Sequence, residues 1–118
     1  MEMNIPKEMG ANEYQKLAAR TINQELSTVQ KVQHARDGIA SEYGEIAGLF
    51  QKTYQGHMLD ATHLKKEVGD MLWFVAEFCT AMNWRLADVM RMNIEKLEKR
   101  YPNGFDAERS LNRAEGDI

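Results

Sequence analysis

The chain of 118 residues contains little cysteine and little proline, with a single cysteine, Cys79, and two prolines. One cysteine excludes an internal disulfide and fits a reducing compartment, so we expect a cytoplasmic protein. No run of the roughly 18 apolar residues that a membrane helix needs is present. The first ten residues lack the apolar centre of a signal peptide, so we expect no membrane partner.

The chain also has little excess charge, with a formal net charge of −3. Bulk electrostatics therefore do not favour nucleic acid or an anionic membrane as a partner. Hydrophobic residues make up 43% and charged residues 28%, as in an ordinary globular protein. The length predicts one domain over residues 1–118. A chain this short buries one modest core, and such helical proteins often complete it by oligomerising.

Alternation of apolar and polar residues, the mark of a half-buried strand, is missing as well, whereas apolar residues recur at steps of three and four. This pattern predicts an all-α fold with four helices. Asn12 and Gln15 have the spacing of a capping box, which predicts a first helix through about Glu25. Ser27 and Gln30 repeat that spacing and predict the start of the second helix.

The remaining boundaries follow from turn residues. Gly38 lies within the second helix, and a break at this glycine is the alternative to a continuous helix. The sequence Gln-Gly-His at 55–57 predicts the end of that helix, and Asp60 is a suitable N-cap for the third. Asn83 suits the left-handed position that closes a helix, and Pro102 stops the fourth helix. Residues 105–118 are polar and are predicted to be irregular.

Two pairs of acidic residues stand out within the second and third helices. Glu42 and Glu45 are three residues apart, and so are Glu67 and Asp70. Residues at this spacing share one helix face, so a hairpin of the two helices would bring four carboxylates together. Four carboxylates in a half-buried seam need a counter-charge, which predicts a metal site formed by these residues. Such pairs are common on solvated helix faces, and that reading is the alternative.

The ligand types favour a hard cation. All-carboxylate ligation suits Mg²⁺, with Mn²⁺ as the second choice, rather than zinc. Gly44 and Gly69 each precede the second acid of a pair, which suggests close helix approach or room for a ligand. The three histidines are interpreted as structural or surface residues: His34, His57 and His63.

The fourth helix carries a possible phosphate-binding face. Asn93, Lys96 and Arg100 share one side of the predicted helix, and Arg and Lys bind phosphate well. The alternative is a charged helix end stabilised by the helix dipole. Further candidate substrate contacts are Tyr101, Lys52 and Trp73, with Phe74 beside Trp73 as a second aromatic residue that could stack on a nucleobase.

These motifs together resemble the MazG-like all-α nucleoside triphosphate pyrophosphohydrolases, a group related to the all-α dimeric dUTPases. The family pattern of an E-x-x-E helix followed by an E-x-x-D helix is matched by the two acidic pairs. The segments NIEKLEKRYPNGF at 93–105 and NEYQKLAART at 12–21 also resemble the family. The resemblance therefore covers most of the chain from residue 12 to residue 105 and implies that the core of the domain lies there. Two positions depart from it. Ser41 stands where many members have a second acid, and Lys52 stands where a branch acting on deoxycytidine nucleotides has tryptophan, so base preference is not carried over.

The resemblance implies a four-helix MazG-like bundle that assembles as a homodimer or homotetramer. It implies Mg²⁺-dependent hydrolysis of a nucleoside triphosphate to the monophosphate and pyrophosphate, which would clear unwanted nucleotides. The two acidic pairs would be catalytic metal ligands, and the face at residues 93–100 would hold phosphates. Two rivals remain. One is a non-catalytic helical module that binds a metal or a partner, and the other is a related hydrolase of the dUTPase or phosphoribosyl-ATP pyrophosphatase type.

Overall fold

The computed structural model describes residues 3–118, and it confirms the all-α class. The helices have the following bounds: α1 Ala11–Ala19, α2 Thr28–Thr53, α3 Ala61–Ala81, α4 Leu86–Arg100 and α5 Ala107–Leu111. Residues 3–118 form no β-strand, and the only bridge there pairs Pro102 with Gly104. No helix among these residues has the length and apolar character needed to cross a membrane. The described part of the chain forms five helices rather than the four predicted.

Local capping explains why α2 and α3 begin where the sequence predicts. The Ser27 hydroxyl accepts from the Gln30 amide, while the Gln30 side chain accepts from the Ser27 amide, so the capping box is present. The Asp60 carboxylate accepts from the backbone N–H of His63 at 3.0 Å and caps α3. Asn83, with φ of 59°, turns the chain after α3 as predicted.

The start of α1 differs from the prediction. Gly10 is the N-cap and no side chain caps this helix, so the predicted capping box of Asn12 and Gln15 is wrong. The Gln15 amide is used elsewhere. Its Oε1 accepts from the backbone N–H of Leu86 at 2.7 Å, and its Nε2 donates to the carbonyl of Trp84 at 2.8 Å. Gln15 therefore caps the start of α4 from another helix.

The end of α1 also differs, since the helix stops at Ala19 rather than near Glu25. The carbonyl of Ala18 accepts from the Trp73 indole N–H at 3.1 Å and from the Thr21 hydroxyl at 3.1 Å. These donors bond the Ala18 carbonyl, which would otherwise accept from the backbone in the next turn of the helix. The chain then bends and places Ile22 in the core. Contacts with α3 thus end α1.

The short helix α5 corrects the prediction that residues 105–118 are irregular. The Asp106 carboxylate accepts from the backbone N–H groups of Glu108 and Arg109 at 2.9 and 3.3 Å. This N-cap starts one turn of helix in a segment that has no apolar periodicity.

The central unit is an antiparallel hairpin of α2 and α3, which form the most extensive helix contact. α2 runs unbroken through Gly38, so the alternative of a break there is wrong. Gly38 is buried and lies under the ring of Phe74, leaving no room for a Cβ. By contrast, Gly44 and Gly69 have open space around them, so close helix approach occurs at Gly38 and not at those two glycines. α1 packs on α3 and α4 beside the hairpin.

The core is small for the length of the chain. The buried apolar residues are Ala18, Ile22, Ala35, Ala76, Cys79 and Leu86. The radius of gyration is 17.7 Å, against about 13–14 Å expected for a compact chain of this length. The accessible surface is 9476 Å², against about 6,600 Å² for a compact monomer of this mass. Much apolar surface on the helices is therefore left uncovered.

Candidate functional site

Three acidic residues meet across the α2–α3 hairpin. Each of Glu42, Glu67 and Asp70 offers a carboxylate oxygen, and these oxygens lie within 4.8 Å of one another. Glu42 and Glu67 are half-buried, whereas Asp70 is exposed at the edge. We call these three residues the acidic cluster. The hairpin register, set by the Gly38–Phe74 contact, brings one acid of α2 opposite two acids of α3.

Electrostatics within the acidic cluster are unfavourable without a counter-ion. A hydrogen bond with Glu67, then burial and then the neighbouring carboxylates raise the pKa of Glu42 to about 7. The same hydrogen bond lowers the pKa of Glu67, so the ionisation of each of these two carboxyls depends on the other. The Oε2 atom of Glu42 is buried and has no hydrogen-bond partner among the described residues. A buried oxygen of this kind needs either a donor or a cation.

The donor set fits a divalent metal ion. Glu42, Glu67 and Asp70 supply only oxygen ligands, which suits a hard ion such as Mg²⁺, and a site that keeps free positions for water and phosphate. The Oε2 atom of Glu42 has no hydrogen-bond partner among the described residues, so it is available as a ligand to such an ion.

Glu45 is not part of the acidic cluster. It lies one turn further along α2 and is exposed. Its charge nevertheless reaches Glu42, because it is one of the carboxylates that raise the pKa of Glu42. Of the four acids predicted from the sequence, the structure thus brings three together and places Glu45 at the margin.

Two residues that sequence reasoning did not select lie beside the acidic cluster. The Nε2 atom of His63 is 2.9 Å from Oε1 of Glu67, one turn along α3, and this contact orients the carboxylate. Burial and then the charge of Asp70 raise the pKa of the Tyr14 hydroxyl, which α1 brings to the site. The spacing of His63 and Glu67 was a usable signal. Tyr14 depends on how α1 packs, which the local pattern does not show.

The predicted phosphate-binding residues lie on α4. Asn93 and Lys96 are exposed. Arg100 donates two hydrogen bonds to Asp117, from Nε at 2.8 Å and from Nη2 at 2.7 Å. Within residues 3–118 no ion pair joins Lys96 or Arg100 to the acidic cluster. In one chain, therefore, these cations are not paired with the acids.

A cavity of about 470 Å³ lies between α4 and the C-terminal segment. Lys96 and Arg100 line it together with residues 114–118. Tyr101 closes the end of α4, with its ring 5.4 Å from that of Phe105 and 5.8 Å from the guanidinium of Arg100. Lys52 is exposed in the last turn of α2.

The aromatic residues predicted for base stacking lie next to the acidic cluster on α3. The indole N–H of Trp73 is bonded to Ala18 and, at 2.9 Å, to the hydroxyl of Thr21, so this ring holds α1 in place. Trp73 and Phe74 pack edge to face with centroids 5.1 Å apart. The ring of His34 lies against both of them.

Comparison with known proteins gives one family match. The family model for the MazG nucleotide pyrophosphohydrolase domain matches residues 30–105, which is more than half of the chain and includes the acidic cluster. The chain is also similar to the "Gene 37 protein" of Mycobacterium phage L5, at 25% identity over 85 residues, covering 68% of this chain and 75% of the phage protein. No solved structure matches the chain significantly.

Proposed function

Because the chain belongs to the MazG nucleotide pyrophosphohydrolase family, we propose that it hydrolyses a nucleoside triphosphate to the monophosphate and pyrophosphate. The proposal includes dependence on Mg²⁺, with Mn²⁺ as the ion that the same ligands would also accept. The biological role that follows is removal of unwanted nucleotides from the cellular pool.

The observation that carries this proposal is the acidic cluster with its unpartnered buried oxygen. Glu42, Glu67 and Asp70 would hold the cation, and Glu45 would join them from its marginal position. A divalent cation bound there supplies charge neutralisation and Lewis acidity toward the triphosphate and a water molecule. His63 holds Glu67 in orientation through the 2.9 Å contact. A carboxylate of this group would take the proton from the attacking water.

The residues of α4 would bind the phosphates. Lys96 and Arg100 supply positive charge and Asn93 an amide, which suits the charge that develops on a leaving pyrophosphate. Arg100 is held by Asp117 in this chain, and among the described residues neither Lys96 nor Arg100 forms an ion pair with the acidic cluster. We therefore propose that α4 of one chain serves the acidic cluster of another within a homo-oligomer, either a dimer or a tetramer.

The surface supports assembly. Tyr43 and Phe50 on α2 and Val68 and Leu72 on α3 are exposed apolar residues of the hairpin. Further exposed apolar side chains occur on α4 at Val89, Met90, Met92 and Ile94. The accessible surface exceeds that of a compact monomer by roughly 2,900 Å², which is enough for a stable interface. A second copy that covers the hairpin would bury these side chains.

The test is incubation with a panel of nucleoside triphosphates and Mg²⁺, scored separately for pyrophosphate and orthophosphate. We expect pyrophosphate and a monophosphate, and we expect Asp70→Asn to abolish both while circular dichroism stays helical. A wild-type protein that binds Mg²⁺ but releases neither product supports the non-catalytic binding module. Cleavage of only dUTP or phosphoribosyl-ATP supports the related hydrolases.

A further inference from the structure

A buried histidine–glutamate pair lies outside the acidic cluster. Glu77 is only 1% exposed and is the largest fully buried side chain among the described residues. Both of its oxygens face Nδ1 of His34, at 2.8 and 2.9 Å. A buried carboxylate is costly unless it is paired, so the N–H at Nδ1 of His34 is what makes this burial tolerable. The proposed hydrolysis does not use either residue.

The pair lies close to the acidic cluster along the same hairpin. Glu77 follows Asp70 by seven residues on α3, which places both on one face and about 10 Å apart along the axis. His34 precedes Glu42 by eight residues on α2, about 12 Å along that axis. The Gly38–Phe74 contact lies between the two sites. If a nucleotide in extended conformation had its phosphates at the acidic cluster, its base would reach the His34–Glu77 pair.

His34 presents its other nitrogen outward. Its side chain is 48% exposed although Nδ1 is bound to the buried Glu77. The rings of Trp73 and Phe74 lie edge-on at 6.4 and 5.5 Å between centroids, and they fix the plane of the imidazole. With Nδ1 engaged by Glu77, the Nε2 atom is the ring nitrogen left for a ligand. An oriented ring nitrogen beside aromatic surface is suited to a hydrogen bond with the edge of a flat heterocycle.

We propose that His34, positioned by Glu77, binds the nucleobase of the substrate and discriminates between bases that carry an exocyclic amino group and bases with a carbonyl there. The inference rests on the proposed function only in placing the phosphates at the acidic cluster. It assigns base selection to α2 and α3 of the chain that holds the metal ligands.

The experiment measures binding in the presence of Mg²⁺, so it does not need turnover. The probes are α,β-imido analogues of CTP and UTP and of ATP and ITP. The members of each pair differ in carrying an exocyclic amino group or a carbonyl, and in the hydrogen on the adjacent ring nitrogen. Inorganic tripolyphosphate serves as a probe without a base. The variants are His34→Phe and His34→Asn, because Asn keeps a donor for Glu77 and removes the outward nitrogen. His57→Phe, in the exposed loop after α2, is the matched control.

We expect the wild-type protein and the His57 variant to bind one member of each pair roughly tenfold more tightly than the other, as one hydrogen bond between protein and ligand allows. Both His34 variants should bring that ratio to about one. Affinity for tripolyphosphate should stay unchanged in every variant. A merely structural role for His34 would not produce this pattern, since misfolding lowers affinity for all probes alike.

Four results would overturn the inference. The wild-type protein could bind no nucleotide, or it could bind both members of each pair equally. The affinity ratio could survive in both His34 variants, or these variants could lose equal affinity for nucleotide and tripolyphosphate. The result is separable from the proposed function. Base-selective binding that depends on His34 without pyrophosphate release refutes only the hydrolysis, whereas pyrophosphate release with a ratio insensitive to His34 refutes only the inference.

Discussion

The ring of Phe74 on α3 lies directly against the α-carbon of Gly38 on α2, and no side chain larger than hydrogen fits between them. This contact fixes the register of the hairpin. One turn away, four residues after Gly38 on α2 and four residues before Phe74 on α3, the same register places Glu42 beside Asp70. The geometry of the acidic cluster therefore depends on a glycine that is not itself near the carboxylates.

Replacing Gly38 by alanine should destabilise the protein by about 1–3 kcal/mol, because the added methyl group would overlap the Phe74 ring and force the helices apart. The gain in helix propensity, about 1 kcal/mol, partly offsets this loss. Chemical denaturation monitored by circular dichroism would measure the change in the free energy of unfolding.

Gly44→Ala is the matched control for that variant. Gly44 lies on the same helix with open space around it, so alanine should stabilise the protein by roughly 0.5–1 kcal/mol. If both variants shift stability in the same direction, the steric argument for Gly38 is incorrect.

Glu42→Gln should raise the melting temperature of the metal-free protein. The substitution removes a charge from a half-buried carboxyl that faces Glu67 and Asp70. It should also abolish the rise in melting temperature that Mg²⁺ gives the wild-type protein, since a ligand is lost. Thermal melts in EDTA and in Mg²⁺ measure both effects. A variant that melts lower in EDTA, or that still responds fully to Mg²⁺, contradicts the metal site.

His63→Ala should weaken Mg²⁺ binding on the order of tenfold without changing the helical content. The reason is that Glu67 loses the contact at 2.9 Å that orients it toward the acidic cluster. Isothermal calorimetry measures the affinity, and His57→Ala, remote from the acids in sequence, is the control. Equal affinities in the two variants would show that His63 has no positioning role.

Asp117→Asn should lower stability at neutral pH, with an effect that fades in acid. The hydrogen bonds from Arg100 hold the pKa of Asp117 below its usual value. A carboxyl with a lowered folded-state pKa contributes stability above its unfolded pKa, about 3.9, and loses it as pH falls through the folded value. Denaturation is measured at pH 7 and at steps down to pH 2.5. The difference in the free energy of unfolding between variant and wild type should narrow below about pH 4. A constant gap would refute the ion pair as its cause.

Leu72→Asp should convert the proposed oligomer to a monomer. Leu72 is an exposed apolar residue of the hairpin, and a charge buried in an apolar interface is costly. Light scattering coupled to size exclusion gives the mass. Met58→Asp, at an almost fully exposed loop residue, is the control and should leave the mass unchanged. If the wild-type protein is already a monomer, the proposed oligomer is refuted.

Most helix boundaries could be predicted because they are set by residues adjacent in sequence. Ser27, Asp60 and Asn83 act on backbone groups within a few residues. The misplaced end of α1 has the opposite origin, since Trp73, fifty-five residues away, takes the carbonyl of Ala18. Sequence periodicity carries no information about such a contact.

The same distinction applies to the site. The acids at i and i+3 could be recognised on each helix, and the hairpin brings Glu42, Glu67 and Asp70 together. Which of the two acids on α2 points into the seam depends on the rotation of that helix, which the buried Gly38 determines. The pairing of His34 with Glu77 joins residues forty-three positions apart and gave no sequence signal.

The hairpin that carries the acidic cluster is closed by a short connection, residues 54–60, between two helices that are neighbours in the chain. Contacts of this local kind form early, because little chain entropy is lost in closing so small a loop. We therefore expect the three carboxylates to come together during synthesis, before the C-terminal segment has folded. Uptake of the proposed cation would then precede the proposed assembly and stabilise the half-finished chain.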